Sequence, residues 1–181
     1  MQASDRTFAA RLRRAAAWPF TSRLASPLWL ALRVYLGSVW LQFALAKLRG
    51  GWLTGDPMSG MLRSIADGHT PAPFPFYRDV AAGLLEVGAG PVISATLPLA
   101  ELAVALAFFS GVLVVPAAVG AILLNANLVL SGIASWSFDG RIIALQLLML
   151  AAWRVAGYIG VERLVALLRA PRPPRGLGYS S

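Results

Sequence analysis

The chain has 181 residues, the length of one domain. With 57% hydrophobic and 13% charged residues and a mean hydropathy of +0.66, it carries more apolar surface than a soluble globule of this size can bury. The absence of cysteine and the single histidine, His69, exclude disulfides, thiol nucleophiles, iron–sulfur clusters and thiolate zinc sites, as well as any multi-histidine metal or haem site within one chain.

The net charge of +8 does not point to nucleic acid, because of where it lies. Arg6, Arg11, Arg13, Arg14 and Arg23 precede the first apolar stretch, and Arg163, Arg169, Arg172 and Arg175 follow the last. Basic flanks on apolar spans are the positive-inside pattern. Residues 1–26 read as a basic cytoplasmic segment in which Phe8, Leu12 and Trp18 share one face of a short interfacial helix. The apolar run 15–20 is too short for the core of a signal peptide.

A first span is expected over 27–48, with Arg33 and Lys47 near its two ends and able to snorkel toward headgroups. Arg33, Gly37, Trp40, Ala44 and Lys47 fall on one helical face, so this stripe is expected to point inward. Segment 49–91 is nearly neutral and is broken by Pro71, Pro73 and Pro75; short helices are expected over 58–66 and 78–87 as an outer cap. From Val87 to Gly132 the only charge is Glu101. As one helix that stretch would be roughly 69 Å long, against about 30 Å of hydrocarbon, so it must fold back. Ser110-Gly111 followed by Pro116 is the turn, which gives spans of about 92–110 and 114–132. Ala103, Ala107 and Gly111 form a small-residue ridge suited to close helix contact. A fourth span is expected over 140–160, then a basic, proline-rich cytoplasmic tail over 162–181. The expected fold is an all-α, integral membrane four-helix bundle over 27–161. Both termini lie inside, and a partly helical extracytoplasmic cap sits between helices 1 and 2.

Glu101 lies mid-span with nowhere to snorkel, so it must be paired, protonated or in contact with water. Two roles fit: a structural pair or neutral acid between helices, or a proton-accepting group with a raised pKa. Asn125 and Asn127 point about 200° apart around their helix, and Asn127 is the better pocket candidate. Gln42, Lys47, Glu101, Asn127, Asp139, Arg141 and Gln146 together suggest a polar pocket in the outer half of the bundle, under the cap. His69 sits in a loop, either simply solvated or as a proton relay or partner contact.

The run from Arg33 through Gly37 and Trp40 to Ala46-Lys47-Leu48 resembles the first helix of the DoxX-like family of small bacterial membrane proteins. Pro75-Phe76-Tyr77-Arg78-Asp79, Glu101 through Gly111, and Asn125 through Gly132 resemble segments of its DoxD branch, and the likeness extends over about 27–160. It departs at Val115-Pro116, where the family carries a basic residue. The resemblance implies a multi-pass protein of the bacterial inner membrane, similar to the large membrane subunit of thiosulfate:quinone oxidoreductase. In that reading Glu101 is the catalytic candidate, while Lys47, Asn127 and Gln146 contact a quinone. Arg78 meets an anionic sulfur substrate at the outer surface. The alternative is a non-catalytic scaffold or anchor for a small periplasmic or membrane partner. A small-molecule carrier is disfavoured because four spans show no inverted repeat.

Overall fold

The computed structural model describes residue 15 and residues 17–70, 74–157 and 160. These are helical, with no strand among them. Residues 17–21 and a 3₁₀ turn at Arg23–Ala25 lead into α1 (Ser26–Arg49). Then come α2 (Pro57–Ala66), α3 (Phe76–Glu86), α4 (Gly90–Ser110), α5 (Val114–Leu130), α6 (Trp136–Ala151) and the single turn α7 (Trp153–Ala156). The expected basic tail, and Phe8 and Leu12 of the expected interfacial helix, lie outside the described residues.

Local chemistry accounts for the boundaries. Proline near the start of α1, α2 and α4 has the φ a helix needs and forgoes only an amide that would lack an intrahelical partner. Lys47 and Arg49 in the last turn of α1 complement its negative end. Gly111, at φ 72°, ends α4 in the left-handed conformation that a side chain disfavours. The hairpin thus turns at Ser110-Gly111, where it is expected.

The four long helices close a ring: α1 packs on α4, α4 on α5, α5 on α6, and α6 on α1. Their shared core includes Trp29, Leu36, Trp40, Phe108, Ala118, Ala121, Ile142 and Met149. On α1 the buried face runs through Arg33, Gly37, Trp40 and Ala44, the stripe expected to point inward. A Cβ on Gly37 would lie 2.9 Å from the Phe109 ring, so glycine sets the close approach of α1 to α4. The short helices α2 and α3 pair through Leu62, Ile65, Tyr77 and Ala81 and cover one end of the ring, with α2 resting on α4.

Some expectations are corrected. Arg33 does not snorkel: it is 1% exposed, and its Nη1 donates to the Ala156 carbonyl at 3.0 Å, pinning α7 to α1. Ala103 is exposed and Ala107 only half-buried, because α4 buries the neighbouring face through Pro98, Glu101, Ala105 and Phe108. Gln42 and Arg141 face outward. The last long helix starts earlier than expected and breaks at Ala152.

Two segments, Arg23–Arg49 and Gly90–Ser110, are long and apolar enough to cross a membrane, and α5 is a shorter apolar helix. Only about a third of either long segment is buried within the protein (33% and 28%), unlike the core helix of a soluble domain. Outward faces carry Val34, Leu99, Leu106, Leu123 and Leu147, each at least 46% exposed. Much apolar surface of the long helices is thus left outside the described packing.

Gly111→Ala should lower stability by about 2–4 kcal/mol. A Cβ there would adopt a left-handed φ and fall 2.2 Å from the Arg33 guanidinium. Gly60→Ala, in an open position on α2, should be neutral or stabilising by about 0.5–1 kcal/mol. Denaturant unfolding in detergent micelles checks both.

Candidate functional site

Lys47 ends the inward stripe of α1, and Glu101 lies on the buried face of α4. The packing of these helices brings Lys47 Nζ to 2.7 Å from Glu101 Oε1. The carboxylate is 1% exposed and the lysine side chain 18%. Nζ also lies 5.7 Å from the Phe43 ring centre and 5.4 Å from that of Trp52, so two aromatic faces help hold the cation. Glu101 Oε2 is buried and accepts no hydrogen bond from the described residues. One carboxylate oxygen is therefore committed to lysine, and the other meets no partner among the described residues.

The pair stands in the wall between two cavities. One, of about 640 Å³, is lined by Lys47, Phe43, Trp52, Phe138 and Asp139. The other, of about 240 Å³, lies under the cap and is lined by Glu101, Tyr77, Asn127 and Ser131. Met58, Leu97, Leu128 and Ile133 border both. Each cavity is mostly apolar with a few convergent polar groups, as small-molecule sites generally are. Asp139 is 7% exposed, in the first turn of α6, where a carboxylate complements the helix dipole.

The cap is fastened at two places. At α2, Asp56 accepts from the Ser59 amide at 3.1 Å, and Ser94 Oγ of α4 accepts from the Met58 amide at 3.0 Å and donates to Asp56 at 3.4 Å. Hydrogen bonding to Ser59, with a smaller contribution from Ser94, holds the Asp56 carboxyl below the usual aspartate range. A Cβ on Gly90 would overlap Ser59, so glycine permits this seam. At α3, the Tyr77 hydroxyl donates to Asn127 Oδ1 on α5, closing the smaller cavity. Burial raises the Tyr77 phenol above the ordinary tyrosine range, against a lesser opposing effect of Asn127.

The sequence candidates divide into two groups. Lys47, Glu101, Asn127 and Asp139 gather around the cavities. Gln146 is fully buried among the long helices and borders neither, and Asn125 is buried likewise. Arg78 is exposed on the cap, its guanidinium against Gly68, also outside both cavities. His69 is exposed. Tyr77, Trp52 and Ser94 were not singled out from sequence as site residues. Their roles depend on contacts 36 or more residues away, or on a loop turning back over Lys47, and periodicity does not encode these. Among the described residues no group of three or more His, Asp or Glu gathers as a metal site would require.

No family model matches the chain, and neither does any curated protein or solved structure.

Lys47→Met should cost about 3–5 kcal/mol, because it strands a buried carboxylate, and the double variant Lys47→Met/Glu101→Gln should recover more than half of that. Equal losses in single and double variants would show that the pair is not the source. Tyr77 should ionise after a free tyrosine does. Its raised folded-state pKa means its contribution to stability is complete below the unfolded value and lost as pH rises through the folded one. An ultraviolet tyrosinate titration should show a late component that is missing in Tyr77→Phe.

Proposed function

We propose that this chain is a multi-pass protein of the bacterial cytoplasmic membrane, a four-span helical bundle with both termini in the cytoplasm and the α2–α3 cap outside. Its basic ends and near-neutral cap segment support that orientation. Within this frame it acts as a DoxX/DoxD-like membrane component of a quinone-linked oxidoreductase, with thiosulfate as the candidate electron donor. The observation that carries this reading is the Lys47–Glu101 pair set between two apolar cavities.

The residues present fit a quinone. The larger cavity offers Phe43, Trp52 and Phe138 to a planar ring, Lys47 Nζ to a ring oxygen, and an adjacent carboxylate with one free oxygen. A bound quinone would accept two electrons and two protons. Lys47 would donate a hydrogen bond to the ring, Glu101 would hold or release a proton at Oε2, and the Tyr77–Asn127 contact would keep bulk water from the smaller cavity. Gln146 stands apart from this arrangement. Arg78, on the cap surface, is placed to attract a sulfur oxyanion before it reaches the site rather than to hold it there.

A second reading rests on the cap. Phe74, Phe76 and Val80 are 40%, 53% and 43% exposed there, a surface suited to a small partner subunit for which this chain would serve as anchor.

The test is thiosulfate-dependent quinone reduction in membranes holding the wild-type chain or Glu101→Gln at matched levels. Loss of about 10²-fold or more in the variant is the expected result, the scale of a removed acid–base group. Absence of activity in both, together with a co-purifying partner lost on Phe76→Ser, would replace this reading with the anchor.

A further inference from the structure

At the level of the ion pair and further from the cap lie buried polar groups that the ligand reading leaves unused. Trp40 on α1, Asn125 on α5 and Gln146 on α6 are each 0% exposed. Trp40 Nε1 and both amide atoms of Asn125 and of Gln146 have no hydrogen-bond partner among the described residues, and nor does Glu101 Oε2. Four helices thus contribute an unsatisfied polar group to an interior built mainly of alanine and larger apolar side chains.

Helix register places Glu101, Asn125 and Gln146 near one level and Trp40 further along the same interior. The Gly37–Phe109 and Lys47–Glu101 contacts align α1 with α4 and put Trp40 about 9 Å beyond Glu101, at 1.5 Å per residue. The approach of Gly120 to Val104 aligns α5 with α4 and puts Asn125 within about 3 Å of the level of Glu101. Gly157 abuts the Gly111 carbonyl, which puts Gln146 within about one helical turn of the same level. One turn away from Trp40, Glu101 and Asn125 stand Ala44, Ala105 and Ala121, all fully buried. These positions carry the smallest apolar side chains rather than large ones.

Buried amides with neither a protein partner nor solvent are strongly disfavoured, and more so where lipid surrounds the helices. A water molecule in such a site needs two to four polar partners, and this belt supplies them from four directions. We propose that Glu101, Asn125, Gln146 and Trp40 hold an internal cluster of water, and that through it Glu101 exchanges its proton at Oε2 while Oε1 stays bound to Lys47. A proton passes from a cluster water to Oε2 and gives the neutral acid. The water is reprotonated from solvent through the smaller cavity, which Glu101 also borders, when the Tyr77–Asn127 bond opens. Lys47 remains an ammonium throughout. This inference requires only the described packing and stands whether or not a quinone binds.

The test uses the full chain in lipid nanodiscs, with its six tryptophan indoles labelled with ¹⁵N. The Trp40 resonance is assigned by its loss in Trp40→Phe or, if that variant does not fold, by selective labelling. Exchange of the Trp40 Nε1 proton with water should be at least tenfold faster than that of the backbone amides of Leu36 and Ala44 beside it, despite complete burial. In Gln146→Leu it should slow by at least tenfold. A Trp40 indole as protected as its neighbouring amides would overturn the proposal. So would unchanged exchange in Gln146→Leu, the outcome expected if Asn125 and Gln146 form a dry amide pair.

Discussion

A lysine and a glutamate facing each other across two apolar helices constrain this molecule more tightly than any other contact. Moving either charge alone into a medium of low dielectric is strongly unfavourable, and their attraction compensates only at contact distance. The 2.7 Å separation of Lys47 and Glu101 therefore fixes more than a local contact. It sets the register of α1 against α4, and the Gly37–Phe109 contact holds the same register further along the helices. Beyond that, Arg33 fits against Gly111 and reaches the Ala156 carbonyl. The two long helices are thus fastened at both ends by buried cations and in the middle by a missing side chain.

The cap follows from that register. With α4 placed, its first turns present Gly90 and Ser94, and these receive the start of α2. The chain then returns as α3 and meets α5 through Tyr77 and Asn127. The seam at Ser94 combines several hydrogen bonds with close backbone packing, whereas the contact at Tyr77 is one side-chain bond over a cavity. The smaller cavity is bordered on the α3 side by Tyr77, and the larger one by Trp52, Phe138 and Asp139.

The parts of the fold legible from sequence were those written in local chemistry. The Ser110-Gly111 turn needed only the observation that 46 nearly uncharged residues exceed one membrane crossing. The inward stripe of α1 was readable because Arg33, Trp40 and Lys47 recur at helical spacing. The small-residue ridge misled, since size alone does not say which face of an all-apolar helix packs. On α4 that was decided by Glu101, whose need for a partner turns Pro98 and Ala105 inward and leaves Ala103 outside. Arg33 misled for a related reason. A long cation can snorkel, but it can equally cap a helix end, and Ala156 belongs to an element 123 residues away. Of the candidate site, Lys47, Glu101 and Asn127 were accessible as polar exceptions in apolar spans. Tyr77 was not, since an aromatic in a loop-flanked helix is unexceptional until Asn127 is opposite it.

The distribution of polarity ties these features together. Outward faces of the long helices carry Leu99, Leu106, Leu123 and Leu147, while the interior holds Glu101, Asn125, Gln146 and Asp139. A protein folding in water gains most of its stability from the reverse arrangement. In the membrane placement proposed above that driving force is absent between helices, and association depends on close packing and on polar groups that find one another. Buried polar residues could be explained as adhesive alone if each met a partner. Here Lys47 and Glu101 meet, but one carboxylate oxygen, two amides and an indole do not. Adhesion accounts for the first pair and leaves the rest as a net destabilisation. Unsatisfied groups that face one interior from four helices, next to a carboxylate that borders a cavity, are instead what a site for a small polar species requires.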